Sequence, residues 1–141
     1  MITGNVKEEL SSLVTIFRRA ILACDSSSLC TTLQTFPRGA CGDASYLLAR
    51  FLSEQGCGEF EYVLGRNDHY GSHVWLEKSN IIIDITFDQF DENKGSSMVT
   101  TDGRFYSQFQ IEDRHIADYE IYDHVTILNL TNTYREIIKH I

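Results

Sequence analysis

The sequence predicts an α+β fold in which helices pack on an antiparallel sheet. Amphipathic helical stripes in the first third, short β-branched and aromatic segments after residue 59, and a polar pair between two of those segments carry that expectation. The chain has 141 residues and is 43% hydrophobic, which suits a single domain over residues 1–141 that buries one core.

Val6, Leu10, Leu13, Val14, Phe17, Ala20 and Ile21 recur at helical spacing and predict an N-terminal helix over residues 3–24. Residues 25–28 break it, and the stretch to Ala40, with Pro37 and Gly39, reads as a loop with room for a short helical turn. Ala44, Leu47, Leu48, Phe51 and Leu52 define a second helix, stopped by Gly56. The period then changes, and residues 60–64, 73–77 and 81–86 read as three antiparallel strands. Residues 88–103 are polar, with Gly95-Ser96-Ser97, and read as a loop near whatever the preceding strand presents. Residues 105–110 and 120–128 read as further strands, and residues 133–140 as a short terminal helix. Internal repeats are absent.

Composition excludes several function classes. Lys and Arg number 12 against 20 Asp and Glu, for a formal charge of −8, and no basic run offers phosphates a stripe, so nucleic acid is not an expected partner. The acidic excess is spread along the chain and reads as solubility. No apolar run reaches the length of a membrane span, and the polar N-terminus lacks a signal-peptide pattern, so a cytoplasmic protein without membrane contact is expected. Cys24, Cys30, Cys41 and Cys57 form no C-x-x-C pair, which favours reduced thiols over a disulfide framework or zinc knuckle. Asn129-Leu130-Thr131 would matter only in a secreted protein. No glycine-rich phosphate loop appears, and no cofactor is expected.

Three side chains carry candidate chemistry. Cys41 lies three residues before Ala44 and seven before Leu48, which puts its thiol in the first turn of the second helix, on the core-facing side. There the unpaired N–H groups and positive dipole end favour a thiolate, and the Cys41 N–H is placed to donate to a developing oxyanion. Gly39 and Gly42 allow a substrate backbone to approach. Asp43 complements the helix dipole without facing the sulfur.

Ser79-Asn80 suits a two-residue hairpin turn, which pairs residue 78 with 81, 76 with 83, 75 with 84 and 73 with 86. His73, Trp75 and Glu77 then share a face with Ile82, Asp84 and Thr86, and His73 stands diagonal to Asp84, about 7–8 Å away between backbones. A one-residue slip would send the two to opposite faces. A carboxylate among Ile81, Ile82, Ile83 and Ile85 is costly unless a partner satisfies it, and a histidine is the economical partner. Taken singly, each residue has a plainer reading: Cys41 as a small buried hydrophobe, His73 as a structural histidine, Asp84 as a turn cap.

Phe36-Pro37-Arg38-Gly39-Ala40-Cys41-Gly42-Asp43-Ala44-Ser45, Ser72-His73-Val74-Trp75-Leu76-Glu77 and Ile82-Ile83-Asp84-Ile85-Thr86 together resemble the transglutaminase-like branch of the papain-like cysteine hydrolases. The resemblance implies a papain-like core over about residues 36–128 with the nucleophile helix packed on an antiparallel sheet. It also implies a Cys-His-Asp triad, with Cys41 as nucleophile, His73 as general base and then acid, and Asp84 fixing the imidazole tautomer. The expected activity is hydrolysis or acyl transfer at an amide of a protein, a peptide or a small molecule, through a thioester on Cys41. Gln34 is the match for the family's oxyanion glutamine, against the plainer reading of an exposed loop residue. Arg38 and Trp75 are candidate substrate contacts, against loop solvation and core packing. Two rivals stand beside this reading: a metal site of Cys41, His69, His73 and Asp84, and a binding module that keeps the fold without catalysis. His115, His124 and His140 read as structural or surface residues.

Overall fold

The computed structural model describes residues 4–90 and 97–141, which form three α-helices and a five-stranded antiparallel sheet. Helix α1 (Gly4–Ala23) buries Leu10, Val14, Phe17, Ala20 and Ile21, the stripe that the spacing predicts, and leaves Val6 at its exposed end. Short 3-10 turns at Ser26–Ser28 and Thr31–Leu33 occupy the loop that follows. Helix α2 (Cys41–Glu54) ends just before Gly56 and buries Ala44, Leu47, Leu48, Phe51 and Leu52.

Strands β1 (Glu61–Asn67), β2 (Gly71–Lys78), β3 (Ile81–Ile83), β4 (Val99–Thr100) and β5 (Gln110–Ile116) lie in the order β4-β3-β2-β1-β5. The Ser79-Asn80 turn sets the predicted register, with Lys78 opposite Ile81 and Leu76 opposite Ile83. Strand alternation then sorts the side chains. Leu76, Ile81 and Ile83 join the core under α1, α2 and α3 (His124–Ile138). Val63, Trp75 and Ile82 join Tyr106 and Phe109 in a second, smaller core. No described helix is long and apolar enough to cross a membrane.

Three expectations need correction. The strand predicted over 81–86 stops at Ile83: Asp84 N–H still donates to the Met98 carbonyl on the β4 side (2.8 Å), but the Asp84 carbonyl accepts from Phe87 N–H (3.2 Å) and a 3-10 turn follows at Phe87–Gln89. Residues 105–110 hold a 3-10 turn, Tyr106–Gln108, closed by Phe109 N–H on the Tyr106 carbonyl (3.1 Å), and the strand starts only at Gln110. Residues 120–128 are not a strand. Asp123 accepts from Thr126 N–H (2.8 Å) and so caps α3, whose buried stripe is Leu130, Thr133, Tyr134 and Ile137. Of the 88–103 loop, residues 91–96 lie outside the described residues.

Gly65 of β1 pairs with His73 of β2, and the second core closes directly over it. A Cβ there would stand 2.8 Å from Phe109 Cβ and 2.9 Å from Trp75 Cη2, too close for either ring to stay in place. Gly65→Ala is therefore expected to destabilise the fold by about 1–3 kcal/mol. Urea unfolding checks it, and an unchanged midpoint would mean that the rings move aside freely.

Candidate active site

Cys41 is the first residue of α2 and is half-buried. The Ala40 carbonyl accepts the first helical hydrogen bond from Ala44 N–H at 2.9 Å, and no side chain caps the helix. The N–H groups of Cys41 and Gly42 have no hydrogen-bond partner among the described residues, as a helix start leaves them. Asp43 accepts a hydrogen bond from the Thr32 hydroxyl at 2.6 Å, which ties the first turn of α2 to the preceding loop.

His73 and Asp84 are 0% and 1% exposed, and His73 Nε2 meets Asp84 Oδ2 at 2.7 Å. Burial by itself would lower the His73 pKa. The Asp84 charge and hydrogen bond, joined by a hydrogen bond and a charge interaction from Cys41, more than offset it and raise the ring from 6.5 to about 9. The Cys41 thiol is thus near enough to the imidazole to act on its charge, and Nε2 of that ring is taken by the carboxylate.

Asp84 has other partners. Its Oδ2 also accepts from the Tyr106 hydroxyl (2.9 Å), and its Oδ1 accepts from the Thr86 N–H (3.2 Å) and hydroxyl (3.3 Å). Burial and the neighbouring Asp84 charge raise the Tyr106 pKa, so its hydroxyl stays a donor. The other ring nitrogen, His73 Nδ1, lies 3.1 Å from Gln89 Nε2, which also donates to Thr86 Oγ1 at 2.9 Å. Phe90 stands edge-on to the imidazole with centroids 4.8 Å apart.

Arg18 of α1 fastens the segment that carries these groups. Its guanidinium donates to the Ile85 carbonyl (2.7 Å) and to both oxygens of Asp88 (2.9 and 2.8 Å). It also lies over the Phe36 ring, in the loop before Cys41, at 5.1 Å from the centroid. One side chain therefore links the loop before Cys41 with the turn that follows Asp84.

Other sequence candidates lie elsewhere. Gln34 is exposed and donates to the Leu29 carbonyl at 3.1 Å, so its carboxamide is spent within its own loop. Trp75 is 1% exposed in the second core, donates to Glu77 Oε2 at 2.7 Å and packs beside the His73 ring, with centroids 5.8 Å apart. Gly42 lies beside Cys41, and a Cβ on it would stand 3.1 Å from the Tyr62 hydroxyl. Arg38 is exposed. His69 is exposed in the β1–β2 turn, edge-on to Tyr70, and no three His, Cys, Asp or Glu side chains among the described residues group as a metal site requires.

Sequence reading missed Gln89, Tyr106 and Arg18. Only Arg18 had a legible signal: it falls four residues after Val14 and three before Ile21, a charge at the spacing of the buried stripe.

Two measurements follow from this geometry. A histidine whose folded pKa is raised contributes stability that is complete below its unfolded value and lost as pH rises through the folded one. Between pH 6.5 and 9 the wild-type chain is therefore expected to lose about 3 kcal/mol of unfolding free energy beyond any loss in His73→Gln. Equal slopes in the two proteins would contradict the His73–Asp84 coupling. Arg18→Gln, which unpairs Asp88 and the Ile85 carbonyl, is expected to cost about 1–3 kcal/mol, read by thermal or urea unfolding.

No family model matches the chain, and none of the curated proteins or solved structures compared with it matches.

Proposed function

We propose that the chain is a thiol-dependent hydrolase or acyltransferase, with the transglutaminase-like, papain-like arrangement of a Cys41-His73-Asp84 triad. One observation carries this reading: a helix-start thiol interacts with an imidazole whose Nε2 is held by a buried carboxylate at 2.7 Å. The substrate is an amide of a peptide, a protein or a small molecule. The four free thiols suit a reducing, cytoplasmic setting.

The chemistry runs in two halves. In the resting pair the Cys41 proton stands on His73 Nδ1; the sulfur attacks the amide carbon, and a sulfur–carbon bond forms while the carbonyl electrons move onto oxygen. The tetrahedral species collapses, the carbon–nitrogen bond breaks, and His73 returns the proton to the departing amine. A thioester remains on Cys41. Water or another amine then attacks that thioester, again giving up a proton to His73, and the sulfur leaves. Asp84 keeps Nε2 protonated throughout, so Nδ1 is the nitrogen that exchanges protons.

A second reading, a binding module without turnover, draws on the Gln89 carboxamide, which already occupies His73 Nδ1 at 3.1 Å. Labelling by iodoacetamide at neutral pH, located by peptide mass spectrometry, separates the two. The enzyme reading expects Cys41 to react at least tenfold faster than Cys24 or Cys57, and this excess to disappear in His73→Ala. Cys41 reacting at the pace of the other two would favour the binding module.

A further inference from the structure

We propose that the Tyr62 hydroxyl is the side-chain donor to the oxyanion formed at Cys41, an inference that rests on the thioester reading above. The role left open by Gln34 requires a polar hydrogen beside the sulfur, held in place and not engaged elsewhere. Tyr62 has all three properties.

Its position comes from β1 and from Gly42. Tyr62 lies on the α2 side of the sheet, where its ring stacks between Tyr46 (centroids 4.4 Å apart, planes at 20°) and His115 (4.7 Å, 25°). The hydroxyl reaches the first turn of α2 at Gly42, where even one methyl group would stand 3.1 Å from it. The missing Gly42 side chain thus gives the phenol room next to Cys41, with whose charge it interacts.

Its availability is shown by contrast with its neighbours. The Tyr46 hydroxyl is bonded to His115 Nε2 (2.8 Å) and to the Tyr122 hydroxyl (2.9 Å), and His115 Nδ1 is bonded to Asp113 (3.1 Å). Each polar atom of that cluster is spent inside it. The Tyr62 hydroxyl has no hydrogen-bond partner among the described residues. Burial, with the surrounding Tyr122, Cys41, Asp43 and Asp113 charges, raises its pKa, so it stays a protonated donor at neutral pH. The Cys41 and Gly42 N–H groups, likewise without partners, lie at the same helix start. As the sulfur–carbon bond forms, negative charge collects on the former carbonyl oxygen. Tyr62 donates a hydrogen bond to that oxygen and transfers no proton.

Two reactions of the same sulfur make the test. Iodoacetamide alkylates Cys41 by displacement of iodide, with no oxyanion at the reacting carbon, whereas p-nitrophenyl acetate acylates it through one. Tyr62→Phe is expected to slow acylation at Cys41 by roughly 10- to 100-fold, toward the lower end of what one oxyanion donor contributes, and to leave alkylation within about twofold. Gly42→Ala, which crowds the hydroxyl without removing it, is expected to give the same split and serves if Tyr62→Phe does not fold. Acylation within twofold of wild type in both variants would overturn the assignment. So would a parallel loss of both reactions, which marks a structural role, or faster alkylation with unchanged acylation, which marks a hydrogen bond to the resting sulfur. If wild-type Cys41 is neither alkylated nor acylated faster than Cys24 and Cys57, the nucleophile reading itself fails and this one with it.

Discussion

A carboxylate that is 1% exposed, at the end of a strand of isoleucines, constrains everything around it. Burying such a charge costs several kcal/mol unless donors replace the lost water. Asp84 meets four: His73 Nε2, the Tyr106 hydroxyl, and the N–H and hydroxyl of Thr86. The backbone leaves the β2–β3 ladder after Ile83 and turns at Asp84, whose carbonyl accepts from Phe87 N–H at 3.2 Å. The early end of β3, the turn at Phe87–Gln89 and the fold of residues 103–109 over the sheet all follow from satisfying one carboxylate.

The candidate site is therefore built from halves of different character. The base half belongs to the second core, where Trp75, Phe109 and Phe90 surround the His73 ring and Asp84 fixes it. The nucleophile half belongs to the helical core, since Cys41 opens the helix whose Ala44, Leu47 and Leu48 are fully buried. Arg18 is the tie between them, because it grips Asp88 and Ile85 on one side and faces Phe36 on the other. Such a division fixes and buries the imidazole while leaving the thiol half-exposed.

How much of this was legible depended on whether the signal was local. The stripes of α1 and α2 survive because each faces a core along its whole length. The His73–Asp84 pairing was legible because a two-residue turn and strict alternation determine which side chains share a face. Strand β5 was not, since Gln110–Ile116 is an exposed edge strand whose polar residues carry no alternation. The second half of α3 was legible as a terminal helix over residues 133–140, but its first half was hidden by β-branched residues such as Val125, Thr126 and Ile127, and its start depends on the Asp123 cap rather than on periodicity. Gln89, Tyr106 and Tyr62 reach the site from separate segments, so only the assembled chain identifies them.

The contact between Gln89 and His73 reconciles two features that first look opposed. A carboxamide N–H aimed at Nδ1 requires that nitrogen to be an acceptor, yet a ring raised to about 9 carries a proton there at neutral pH. A carboxamide has an acceptor at its other end. Turned by half a revolution, it sets an oxygen where Nε2 lies, 3.1 Å from Nδ1 and 2.9 Å from Thr86 Oγ1. Both groups are then able to donate to that oxygen, and the Thr86 hydroxyl gives up only its long 3.3 Å contact with Asp84. Gln89 thus accommodates either charge state of the ring by rotating in place, and the imidazole is able to gain and lose a proton at the expense of only the longest of the four Asp84 contacts.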